Sequence, residues 1–168
     1  MPRILASDSF SSNHADLVKG FYCGSDSWAV AASDWIQASE SDQFGVFRSI
    51  KRGTNVWLYF DPDDVLVGFG SLGLTKWPNF DGAVAIIPQM AIACKFQGEP
   101  KGIDETRYSH QILGDLIARA RSLKAVRLVL TVHPGNARAK SLYLSHGFQE
   151  LSDVTALGHL KMIAPLGQ

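Results

Sequence analysis

The chain has 168 residues, 46% of them hydrophobic and 19% charged, with 16 basic and 16 acidic side chains. That composition excludes a disordered or fibrous chain, and a net charge of zero argues against a dedicated nucleic-acid binder. One domain covering 1–168 is the expectation, long enough to bury a full core. No run reads as a signal peptide or a bilayer span, so no membrane partner is expected and the location reads as cytoplasmic. Cys23 and Cys94 lack zinc spacing and disulfide-scaffold density. They read as buried structural thiols, and no metal site is expected.

In chain order, Ser27 to Ile36 looks helical, with Trp28, Ala31, Ala32 and Trp35 on one side. Asn55 to Phe60 reads as a strand, Asp61-Pro62-Asp63-Asp64 as a turn, and Val65 to Leu74 as the hairpin partner. Gly68, Gly70 and Gly73 interrupt that partner, which suggests a bulge or a close backbone approach. After a loop at Thr75–Gly82, Val84 to Cys94 reads as one buried strand that runs into Lys95-Phe96-Gln97-Gly98-Glu99-Pro100-Lys101-Gly102.

Residues 103–110 are either two further helical turns or an inserted loop. Helical periodicity is then clear, with Ile112, Leu113, Leu116, Ile117, Ala120 and Leu123 near one face. Strand, glycine loop and helix in that order aim backbone N–H groups and a helix N-terminus at an anion. Val126 to Val132 is a strongly β-prone strand. His133-Pro134-Gly135-Asn136 stops it, and Asn136 is placed to cap a helix. Ala139, Leu142, Tyr143 and His146 share a face of that helix, and Gly147 ends it before a strand that starts at Phe148. Asn136 and Tyr143 are close to two turns apart, about 10 Å along the axis. Leu157 to Ala164 supplies a last strand.

Two motifs in this order resemble the GNAT superfamily of acyl-CoA-dependent N-acyltransferases. The family's pyrophosphate signature is Gln or Arg, two residues, Gly, one residue, Gly or Ala. Gln97 holds its first position and Gly102 its last, while Pro100 stands where the middle glycine belongs. The later signature, Asn, six residues, Tyr, then Gly-Phe, is met by Asn136, Tyr143, Gly147 and Phe148. The resemblance is best from Val84 to Phe148. It implies an α/β (α+β) fold: a mixed central sheet of about six to seven strands flanked by helices, with a splay between the fourth and fifth strands.

The implied activity is transfer of an acetyl group from acetyl-CoA to a primary amine of a small molecule or protein, by direct attack in a ternary complex. Backbone groups at Met90, Ala91 and Ile92 would pair with the pantetheine arm. Gln97, Gly98, Glu99, Lys101 and Gly102 would cradle the pyrophosphate, with Asn136 and Arg138 as further cosubstrate contacts. Tyr143 would protonate the leaving thiolate. His133, at a strand end, is the candidate base.

Pro100 has no N–H to give a phosphate, which leaves open a degenerate, non-catalytic acyl-CoA-binding domain. Phe21-Tyr22-Cys23-Gly24, a tryptophan-bearing helix and Val132-His133 also resemble GNAT toxins that acetylate aminoacyl-tRNA. In those toxins the tryptophan sits closer to the glycine than Trp35 does to Gly24. Between Lys95 and Lys140 there are nine basic against four acidic residues. Lys101 and Arg138 could face CoA phosphates, but tRNA as the one nucleic-acid partner fits the neutral chain poorly. A homodimer stays open.

Overall fold

The computed structural model describes residues 3–6, 15–38, 41–76, 81–98 and 107–167. The chain divides into two compact units, Met1–Ser71 with Gln89–Leu113, and Leu72–Pro88 with Gly114–Gln168. Among the described residues no helix is long and apolar enough to cross a membrane.

The first unit contains strands β1 (Arg3–Ala6), β2 (Asn55–Phe60), most of β3 (Leu66–Thr75) and β5 (Met90–Ile92). Helices α1 (Ala15–Lys19), α2 (Ser27–Gln37) and α3 (Val46–Lys51) also belong to it. Asp61 closes the β2–β3 hairpin, its carboxylate accepting from Asp63 N and Val65 N at 3.0 and 2.8 Å. Val56 to Phe60 are all buried, so both faces of β2 are covered. Phe69 of β3 stacks on Trp35 of α2 at 5.5 Å and meets the edge of Phe21 at 5.4 Å. The inward face of α2 is Ala29, Ala32, Ser33, Trp35 and Ile36. Ala31, expected on that face, is exposed. Ala32 and Trp35 hold the expected face, which also takes in Ser33, its hydroxyl donating to Ala29 O at 2.9 Å.

The second unit holds β4 (Val84–Ile87), β6 (Arg127–Val132), α5 (Ala137–Ser145), β7 (Gln149–Val154) and β8 (Leu160–Pro165). The last residues of β3 pair with β4 here. β4 and β6 are parallel, from Val84↔Arg127 to Ile87↔Leu130, and β6 and β8 are antiparallel. Leu128, Leu130, Phe148, Met162 and Ala164 form its core. Helix α4 (Tyr108–Ser122) begins in the first unit and ends in the second. Ile112, Leu113, Leu116 and Ala120 are fully buried, as their spacing predicts, whereas Leu123 lies beyond the helix and is exposed. By pairing, the strand order is β1-β2-β3-β4-β6-β8-β7, with β5 on β3. This is a mixed sheet flanked by helices.

The run from Val84 to Cys94 is not one strand. Gly73 of β3 faces Ile86, while Gly70, three residues back, faces Met90, four residues on. One extra residue therefore sits on the β4–β5 side, which is a β-bulge. Pro88 occupies it, and a residue without an N–H cannot carry the ladder onward. The buried Ser71 hydroxyl holds the break closed, donating to Gln89 O (3.0 Å) and accepting from Gln89 N (2.9 Å). The last strand likewise starts at Leu160 rather than Leu157, which is exposed in a turn.

Candidate functional site

In the first unit, β5 has one committed edge and one open edge. Ser71 N donates to Gln89 O at 2.8 Å and Ala93 N to Val67 O at 2.7 Å. With the register Phe69↔Ala91, these bonds set the alternation: Gln89, Ala91 and Ala93 turn their backbone groups to β3. Met90 and Ile92 therefore turn theirs away from it. No strand pairs along that outer edge among the described residues. Gly68 permits the close approach of β3 to β5, because a Cβ there would lie 2.4 Å from Ala91 O.

Beyond β5 a 3-10 turn, Cys94–Phe96, reverses the chain. The Gln97 side chain spans the reversal, its amide nitrogen donating to Ile92 O (2.9 Å) and Cys23 O (2.6 Å). Among the described residues, what remains on the outer edge is the N–H and carbonyl of Met90 and the N–H of Ile92. Gly98 follows at φ 81°, a left-handed backbone that favours glycine. Phe96 meets Tyr108 edge-on at 5.5 Å, which anchors the start of α4 beside the turn. Helix begins at Tyr108, so Ser109 and His110 are helical. Glu99, Pro100, Lys101, Gly102 and 103–106 lie outside the described residues, and with them most of the expected phosphate loop.

In the second unit the Asn136 helix forms as its signature predicts. Asn136 Oδ1 accepts from Ala139 N at 3.1 Å, a side-chain N-cap. The cap consumes the amide oxygen and leaves the Nδ2 donors. At the other end, Gly147 at φ 83° lets its own N–H reach Leu144 O and Phe148 N reach Tyr143 O. Those two bonds close the helix as a Schellman motif. Tyr143 faces inward, 8% exposed, its ring 5.7 Å from Phe148. Burial pushes its pKa up to about 12. Arg138 is exposed on the same helix. Lys140 bridges from it to Glu150 of β7 at 2.8 Å.

His133 follows β6, half-buried, and its Nδ1 accepts from Gly135 N at 3.1 Å. A neutral ring bonded in this way carries its proton on Nε2. The His133 ring meets that of His159 at 5.5 Å, nearly perpendicular. His159 comes from the turn between β7 and β8. Twenty-six positions separate the two residues in the sequence, and no motif links them.

No protein-family profile and no curated protein matches this sequence. Solved structures do match it, over nearly its whole length. One is PaiA N-acetyltransferase from Thermoplasma acidophilum in complex with coenzyme A: 15% identity, 97% of this chain, 99% of that one, TM-score 0.65. A second is a Bacillus subtilis acetyltransferase in complex with CoA, at 15% identity, coverage of 98% and 99%, and TM-score 0.64. A third is an acetyltransferase of the GNAT family from Staphylococcus aureus, at 11% identity, coverage of 99% and 100%, and TM-score 0.63. The fold is the GNAT fold. The Asn136 helix has the secondary structure its signature implies.

Proposed function

We propose that this chain acts as a single acetyltransferase domain, moving an acetyl group from acetyl-CoA to a primary amine of a small molecule or protein. The observation that carries the reading is the open edge of β5, which ends at the Gln97–Gly98 turn. An extended amide-bearing arm such as pantetheine can add to such an edge as a strand would. Met90 and Ile92 make those bonds, and Ala91 sets their spacing. An N–H of this edge also polarises the thioester carbonyl. Gly98, Glu99, Lys101 and Gly102 hold the pyrophosphate on backbone amides. Gln97 braces the turn, its side-chain amide nitrogen donating to Cys23 O and Ile92 O. Asn136 offers Nδ2 to the cosubstrate, and Arg138 offers charge to its phosphates.

In the reaction the neutral amine attacks the thioester carbon, the C–S bond breaks, and the sulfur leaves with the electron pair. Tyr143 meets that sulfur as a hydrogen-bond donor. A phenol at about 12 is roughly 3–4 units less acidic than an ordinary thiol, on the order of 5 kcal/mol against complete proton transfer. Tyr143 therefore steadies the thiolate without ending as a phenolate. The amine's proton passes to water or to His133.

Binding is the direct test. Acetyl-CoA at about a hundred times its dissociation constant should add about 2.7 kcal/mol of stability, read as a raised melting temperature. A folded sample unmoved by millimolar acetyl-CoA and by CoA would overturn the reading.

A further inference from the structure

The first unit brings its two cysteines together from opposite ends of its sequence. Cys94 N donates to Tyr22 O at 2.8 Å, and Gln97 Nε2 donates to Cys23 O at 2.6 Å, so residues 22–23 lie against the turn that follows β5. The first of these bonds bounds the separation of the cysteines. An N–Cα bond of about 1.5 Å on one side and roughly 2.8 Å from the carbonyl oxygen to the next Cα on the other limit the Cα distance to about 7 Å. Any bend in that path shortens it, and disulfides form within this range.

The two thiols differ in surroundings. Cys94 is exposed, and Cys23 is buried; the sequence reading had both buried. Ser33 Oγ lies 3.3 Å from the Cys23 sulfur and accepts from Cys23 N at 3.1 Å. Burial raises the Cys23 thiol above its ordinary range; the Ser33 hydrogen bond partly offsets this, and the charge of Cys94 adds to it. Cys23 is thus kept as a protonated reserve, while Cys94 is open to small oxidants.

We propose that Cys23 and Cys94 form an oxidisable dithiol that closes to an intramolecular disulfide when a hydroperoxide attacks Cys94. The Cys94 thiolate takes the outer peroxide oxygen, breaking the O–O bond and releasing water or an alcohol. The resulting sulfenic acid is then attacked by the Cys23 sulfur. The S–S bond forms, the S–O bond breaks, and Cys23's proton leaves with the hydroxide as water. Two thiols lose two electrons and the peroxide gains them. The site is independent of whatever amine the protein acylates.

Treating the whole chain with hydrogen peroxide, then digesting it without reductant, tests the proposal. The expected product is a monomer lighter by two hydrogens, with one linked peptide pair carrying Cys23 and Cys94, reversed by dithiothreitol. Cys94→Ser sits at an exposed position and should fold normally; it should lose the linkage and leave Cys23 reduced. Oxidation that stops at a sulfenic or sulfinic acid on Cys94, or a disulfide found only between two chains, would overturn it.

Discussion

Asn136 has two polar groups, and only one of them is committed to the helix. Its oxygen caps Ala139 N, so Asn136→Ala should cost about 1 kcal/mol of stability, measured by denaturant titration. Asn136→Asp keeps the capping oxygen and loses the donors. It should retain stability yet weaken acetyl-CoA binding in calorimetry; unchanged affinity would assign the residue to capping alone. Tyr143 allows a similar separation. Tyr143→Phe keeps the ring on Phe148 and should leave cosubstrate affinity intact, while turnover falls by about 10²-fold, the lower end for losing one hydrogen-bond donor to a developing charge. Hydrolysis of acetyl-CoA is a sufficient assay before an acceptor is known. These roles follow from the signature, but the bond arrangement that divides them was not legible in it. Nor was the contact of His159 with His133, since the two residues meet only through strand pairing.

Among the elements, long periodic segments were readable and short ones were not. β2, β3, α4 and β6 stand close to where their patterns place them, because each buries a continuous run or face, and α5 does so because Asn136 and Gly147 mark its two ends. α1 and α3, of five and six residues, span too little for a period to repeat, and β1 has four residues. Most of the Gln97–Gly102 loop falls outside the described residues, so its register is still that of the sequence. The glycine interruptions in β3 did announce a close approach, and Gly68 supplies it. Gly68→Ala would set a methyl against Ala91 O, with Ile112 and Ile92 side chains at 3.1 and 3.2 Å. We expect a loss of about 1–3 kcal/mol in thermal or denaturant unfolding. A stable Gly68→Ala would mean that β5 can draw away from β3.

For the whole molecule, Tyr143 ties stability to alkaline pH. Its ordinary pKa of 10.0 applies to the unfolded chain, and folding raises it to about 12. The folded state therefore binds its proton more tightly. Below pH 10 the full contribution is present, and it is lost as pH rises through about 12. The loss is on the order of 2–3 kcal/mol. Unfolding followed from pH 9 to 12 should show Tyr143→Phe declining less steeply than the parent, whereas parallel curves would show that the phenol titrates as it does in water.

Pro88 gives the strand pair a counting property. Backbone groups along a strand point to alternate edges, so one added or missing residue exchanges the two sets. With Pro88 in the bulge, the odd positions Gln89, Ala91 and Ala93 serve β3, and the even positions Met90 and Ile92 face outward. Had β4 and β5 been a single regular strand with the register of β4, the parity would be reversed, with Gln89, Ala91 and Ala93 turned to the open edge. Surface loops absorb changes of length with little consequence. Between Ile87 and Met90 the chain has no such freedom, because there its length in residues determines which amides a ligand could meet.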